Sequence, residues 1–201
     1  MERCARSRRG SRAVALLALV LSPPLTGWTS GEDYPADITP PPGTRYPCAL
    51  TALPQGLPGI PEADRGYINR TYTVILRATQ AKLVVLKALE REESLPGALD
   101  RYQTVMRLLE GRLASERAPG GLAAFQEDVQ AAFALQRAFF AKAVPLRRDG
   151  ADMARVYQIP EGRQASQRLF SAWARMQSRY PSWSRQTADS IYHHLCALDL
   201  F

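Results

Sequence analysis

Histidine and cysteine are scarce in this chain: two His and three Cys among 201 residues. That scarcity removes most metal and thiol chemistry. There is no Cys-x-x-Cys, no His-Glu-x-x-His and no Glu-x-x-His, the spacings by which loops and helices place ligands around one ion. The histidines, His193 and His194, are neighbours just ahead of Cys196. Adjacent residues on a helix point about 100° apart, so the pair does not converge on one metal. It reads as two surface or half-buried histidines beside a disulfide cysteine. No Gly-x-Ser-x-Gly elbow is present, and no glycine-rich loop follows a strand. No segment alternates with period two for long enough to argue a sheet. No catalytic residue, metal site or cofactor is assigned.

Long apolar runs are missing too. The run from Ala13 to Leu21 is shorter than the roughly 20 residues that span a bilayer. It follows Arg3, Arg6, Arg8, Arg9 and Arg12 and precedes Pro23-Pro24. A basic start, an apolar middle and a helix-breaking exit read as a secretory signal peptide over residues 1–31. Gly27 or Gly31 suits the position before the cut, so the mature chain is expected to begin between Trp28 and Glu32. Ser7-Arg8-Arg9 resembles a twin-arginine pair only weakly, because Gly10-Ser11-Arg12 stands where apolar residues are expected. The expected location is secreted or periplasmic, with no transmembrane anchor once the signal is removed.

Export changes the meaning of the charge. The chain carries +7, of which the signal holds five Arg against one Glu, leaving +3. A pI of 9.7 therefore argues for no nucleic-acid partner. Three cysteines become two, Cys48 and Cys196, an even count suited to an oxidising compartment. A bond between them closes nearly the whole domain into one loop, worth roughly 4 to 5 kcal/mol in the chain-entropy account.

Residues 32–61 form an extended, Pro-rich leader, with Pro35, Pro40, Pro41, Pro42, Pro47, Pro54, Pro58 and Pro61 excluding regular helix. Leu50, Leu53, Leu57 and Ile60 suit packing against the domain. From Glu62 the period becomes helical. Ile68, Tyr72, Ile75, Thr79, Leu83, Leu86 and Leu89 mark a first helix to about Glu93, after which Ser94 caps a second. That one runs to about Glu116 on Leu99, Tyr102, Met106, Leu109 and Leu113. The break Ala118-Pro-Gly-Gly121 leads to a third, about Leu122–Val144, on Phe125, Val129, Phe133, Gln136, Phe139 and Phe140, closed by residues 145–150. A short helix near 151–158, one opened by Pro160 and a last one capped by Ser182 or Ser184 complete the set. The fold class is an all-α antiparallel bundle of about four to six helices over residues 62–201, behind the leader.

The acidic runs Glu90, Glu92, Glu93 and Glu127-Asp128 read as solvated helix surface. Asn69-Arg70-Thr71 is a glycosylation sequon inside a helix, read as a chance match. The suggestive surface is C-terminal. Residues 145–201 hold eight Arg against five acids, while residues 32–144 are balanced. Arg168, Arg175 and Arg179 share one helical face, with Trp173 and Tyr180 on the adjoining one. Arginine with aromatics suits an acidic protein or an anionic envelope partner. Alanine at all three arginines is expected to leave the fold nearly intact. The favoured reading is an exported, non-catalytic bundle that binds such a partner. The competing classes are a small-molecule- or metal-binding bundle, enzymatic or not, that uses the histidines or an interhelical pocket, and a secreted helical signalling ligand.

Overall fold

In the computed structural model, residues 52–200 are described. Among them every regular element is a helix: α1 (Glu62–Arg91), α2 (Leu95–Ser115), α3 (Ala123–Arg148), α4 (Met153–Val156), α5 (Pro160–Arg179) and α6 (Arg185–Leu198). The packing is that of a bundle. α1 lies on α2, α2 on α3 and α3 on α5, and α6 returns to pack on α1 and α5.

The core follows the apolar periods. Phe125, Val129, Phe133, Phe139 and Phe140 of α3 are buried, with Tyr67, Ile68, Tyr72 and Ile75 from α1 and Tyr102 and Met106 from α2. Phe140 meets Tyr102 and Phe139 edge-on, at 4.7 and 5.1 Å between ring centroids, a geometry that aligns ring edges with ring faces. Gln136 sits on the same stripe and is fully buried.

Two helix boundaries differ from the sequence reading. Ser94 does not cap α2 with its side chain. It adopts φ 52 in the left-handed region, two residues after Glu92 at φ 58, and the turn is held instead by the Ala98 amide on the Ser94 carbonyl (3.0 Å). α3 continues through Pro145 to Arg148. Proline removes one amide donor, yet the final turn closes because Asp149 N donates to the Pro145 carbonyl (2.9 Å). The extra turn places Arg147 under the end of α1, where its Nε donates to the Leu89 carbonyl (3.0 Å) and its Nη2 meets Glu92 (2.5 Å). A cation at a helix C-terminus complements the macrodipole. Glu90, Glu92 and Glu93 are exposed, as the sequence suggested. Ser184 is the cap of α6, accepting from Thr187 N (3.2 Å).

The end of α6 is fastened from three directions. Lys82 of α1, nearly fully buried, donates from Nζ to the Ala197 carbonyl (2.8 Å) and to the Asp199 carbonyl. Gln136 of α3 donates to the Leu198 carbonyl (2.7 Å), and Ser166 of α5 donates to the Asp199 carboxylate. Helix C-termini leave carbonyls without intrahelical partners. Here side chains from α1 and α3 supply the donors, and α5 holds the Asp199 carboxylate just beyond. Burial lowers the Lys82 ammonium to about 8.

The last residues of the leader are fixed to α1. The Asn69 side chain reads the Leu53 backbone twice, accepting from Leu53 N (2.8 Å) and donating from Nδ2 to the Leu53 carbonyl (3.0 Å). Leu53 and Ile60 are buried.

Candidate functional site

Among the long helices of the described residues, α5 has the strongest contrast of faces. Ala165, Leu169, Ala172 and Met176 point inward. At 100° per residue, Arg168, Arg175 and Arg179 fall on the flank toward α3, and Phe170 and Trp173 on the flank toward α6. The two groups proposed from sequence therefore border the same outer face from opposite sides.

The arginines grip buried carboxylates. Arg168 Nη1 lies 3.2 Å from Asp128 Oδ1, and Arg175 Nε donates to Asp128 Oδ2 at 2.5 Å. Asp128 is only 2% exposed, which overturns its reading as solvated surface. It stands one residue ahead of the core residue Val129, at the edge of the apolar stripe, where α5 covers it. Both arginine side chains remain about half exposed, 54% and 50%. Each uses one N–H on Asp128 in these contacts, and a guanidinium has five. The bond to Asp128 is the main reason that the Arg175 guanidinium holds its proton more tightly than usual.

Arg179 serves a second carboxylate. Its Nη2 and Nε reach Asp64 Oδ2 at 2.8 and 3.2 Å, and Tyr180 OH donates to the same oxygen at 2.5 Å. Asp64 and Tyr180 are both buried. Tyr180 is thus an internal anchor and offers little to a partner. Burial, then its bond to Asp64, pushes its phenol well above the ordinary value. The guanidinium passes directly over Gly121. A Cβ added there would stand 1.7 Å from Arg179 Nη1 and 2.0 Å from its Cζ. A side chain at 121 would displace the Arg179 guanidinium from this position.

The other flank is aromatic. Trp173 stacks on Trp183 (5.4 Å, 19° between planes) and meets Tyr192 edge-on (5.6 Å). Phe170 and Tyr192 stand out into solvent at 69% and 46% exposure.

The histidines diverge. His194 is fully buried, stacked on Tyr72 at 3.7 Å with only 6° between the planes, and its Nδ1 donates to the Ser190 carbonyl (2.7 Å). Desolvation drops its pKa to about 4. His193 is half-buried on the next face. Among the described residues no group of three or more His, Cys, Asp or Glu side chains is arranged to hold a metal ion. No helix among them is long and apolar enough to cross a membrane. Cys196 is exposed on α6, and Cys48 lies outside the described residues. A groove of about 310 Å³ runs along α1 and α2, bordered by Val84, Lys87, Arg91 and Arg101. Leu83, Glu93 and Ser94 also line it, but none of the α5 or α6 residues proposed as a site from sequence does.

Asp64, Asp128, Asn69 and Lys82 were not found as interaction sites by sequence reasoning. Only Asn69 carried a signal, its sequon, and that signal pointed elsewhere. The Asn69 amide is occupied by the Leu53 backbone, an arrangement that a glycan on Nδ2 would break.

No protein-family model, no curated protein and no solved structure matches this chain.

Proposed function

We propose that this chain is an exported, non-catalytic helical bundle that binds an acidic protein or an anionic envelope surface through the outer face of α5. The observation that carries the reading is the state of Arg168 and Arg175. Both are oriented by buried Asp128 yet half exposed, so they offer pre-positioned donors at low entropic cost. Phe170, 69% exposed on the flank of α5 across from the arginines, adds an apolar contact of the kind enriched at interfaces. Trp173 borders it. Arg179 and Tyr180 support this face from within through Asp64.

Export is supported by the basic, apolar and Pro-broken order of residues 1–31. A Cys48–Cys196 disulfide fits the described end of the leader. Leu53 is fixed on Asn69, less than one turn from Tyr72, which stacks on His194, two residues before Cys196. Five residues of extended chain reach up to about 17 Å, enough to bring Cys48 to that end of α6. Peptide mapping of protein recovered from its host, without reduction, is expected to find an N-terminus between 28 and 32 and a linked Cys48–Cys196 peptide. Met1 retained together with two free thiols would defeat both expectations.

Partner binding is tested by pull-down from host extract at low and moderate salt. The comparison protein carries Arg168→Gln, Arg175→Gln, Asp128→Asn and Phe170→Ser. This set removes the surface without leaving a buried carboxylate unpaired. Loss of specific partners, by tenfold or more at low salt, is expected with an unchanged melting temperature. Equal recovery at every salt would show that the α5 face binds nothing in that extract.

A further inference from the structure

We propose that the aromatic cluster between α5 and α6 is a seat for this chain's own Pro-rich leader, residues 34–47. This goes beyond the partner reading, because it concerns a different occupant on the α6 flank, where only Trp173 is shared with the partner face.

The cluster has the form that proline-rich chain recognises. Trp173 and Trp183 are stacked at 5.4 Å, and Tyr192 stands edge-on to Trp173 at 5.6 Å. Together they form a row of rings at the surface, with Tyr192 46% exposed. Polyproline chain has no internal hydrogen bonds and docks into grooves lined by such rings at little entropic cost. A row of partly exposed rings is also costly to leave wet.

The chain arrives beside the cluster. At Gly59 the leader passes Ser182, close enough that a Cβ would lie 3.4 Å from the Ser182 hydroxyl, and Ser182 adjoins Trp183. From Leu53 back to Pro42 is eleven residues, about 34 Å as polyproline at 3.1 Å each. α6 has 14 residues, about 21 Å at 1.5 Å each, so the segment can reach any point along it. Residues 34–47 hold Pro35, Pro40, Pro41, Pro42 and Pro47. Their composition matches the ring row better than any other stretch outside the described residues does.

Two further features favour this occupant over a second copy. Residues 32–47 carry Glu32, Asp33 and Asp37 against Arg45, a net −2, and Arg185, two residues after Trp183 at the start of α6, has its side chain 94% exposed. Cys196 lies one helical turn beyond Tyr192 on the same exposed side. A Cys48 bonded there would draw Tyr46-Pro47 onto the rings.

Trypsin reads the contact at the Arg45–Tyr46 bond in the full secreted chain, under non-reducing conditions and followed by mass. Slow cleavage at Arg45 is expected in the native protein. Tyr192→Ser, and separately Pro40→Gly with Pro41→Gly and Pro42→Gly, should each speed it at least tenfold without changing cleavage within the bundle. The proline variant leaves every described residue untouched, so its folding is not in question. A Cys196→Ser control run alongside separates the staple from the rings: the ring contact predicts that the proline variant still accelerates cleavage in that background. Equal rates at Arg45 in all proteins would overturn the proposal. Protection that appears only as protein concentration rises would overturn it as well, since a second copy would then be the occupant.

Discussion

Arg179→Ala is expected to lower the unfolding free energy by about 3 kcal/mol, and Asp64→Asn in the same chain to restore most of it. The reason is an asymmetry of burial. Asp64 is buried, whereas the Arg179 side chain is 34% exposed. Removing the guanidinium leaves a carboxylate out of water with one phenol donor, Tyr180. Breaking a buried pair from one side costs about 3 to 5 kcal/mol, and the remaining Tyr180 bond places this case at the lower end. An Asn at 64 carries no charge to strand. Gly121→Ala should approach the same loss by a different route, because its methyl group occupies the space of the Arg179 guanidinium. In a double-mutant cycle the two changes are expected to be strongly non-additive: once Arg179 is gone, Ala at 121 meets no obstacle. Urea unfolding of the four proteins measures this. Fully additive losses would mean that Gly121 and Arg179 are not coupled.

For the same reason, alanine at Arg168, Arg175 and Arg179 together is expected to destabilise the fold, contrary to the expectation from sequence. Helical phase correctly placed all three on one face of α5. It could not show that Asp64 and Asp128, far away in sequence, lie beneath that face. Periodicity reports which side of a helix is apolar. It is blind to a carboxylate at the border of a stripe whose partner arrives from another helix. Asp128 follows Glu127 and precedes Val129, and only the packing of α5 on α3 distinguishes the buried acid from its neighbour.

α1 illustrates a related limit. The three- and four-residue steps gave Ile68, Tyr72, Ile75, Thr79 and Leu89 correctly. Between them the steps selected Leu83 and Leu86, whereas Lys82 and Val85 are the buried residues. A lysine is a poor candidate for an apolar stripe, because an ammonium without partners is costly to bury. Its partners are the terminal carbonyls of α6, about 115 residues away. α3, with five aromatic or aliphatic residues facing one core, was legible up to Pro145 apart from Asp128. The continuation past that proline depended on Arg147 and Asp149 finding partners in space. The aromatic row was half visible: Trp173 was noted on its own helix, but Trp183 and Tyr192 join it only because α6 folds back along α5.

Acid should weaken this protein through one identifiable side chain. His194 is buried against Tyr72 and its pKa falls from 6.5 to about 4, chiefly because burial penalises the imidazolium, with His193 adding repulsion. Between those values the unfolded chain binds a proton that the native chain refuses. Stability therefore rises with pH across the window, is fully present above about 6.5, and is lost as pH falls toward 4. Two and a half units, at 1.36 kcal/mol per unit, come to about 3 kcal/mol. Lys82 adds no slope there, since its folded value of about 8 lies above the window and it is charged in both states. His194→Phe keeps a ring on Tyr72 and removes the titrating group, at the cost of the bond to the Ser190 carbonyl. The variant is expected to be somewhat less stable than the native protein at pH 7, yet to lose about 3 kcal/mol less between pH 6.5 and 4. Every other ionisable group is common to both proteins and cancels in the difference. Urea unfolding at half-unit steps of pH is the measurement. Parallel curves for the two proteins would mean that His194 takes up its proton without leaving the core.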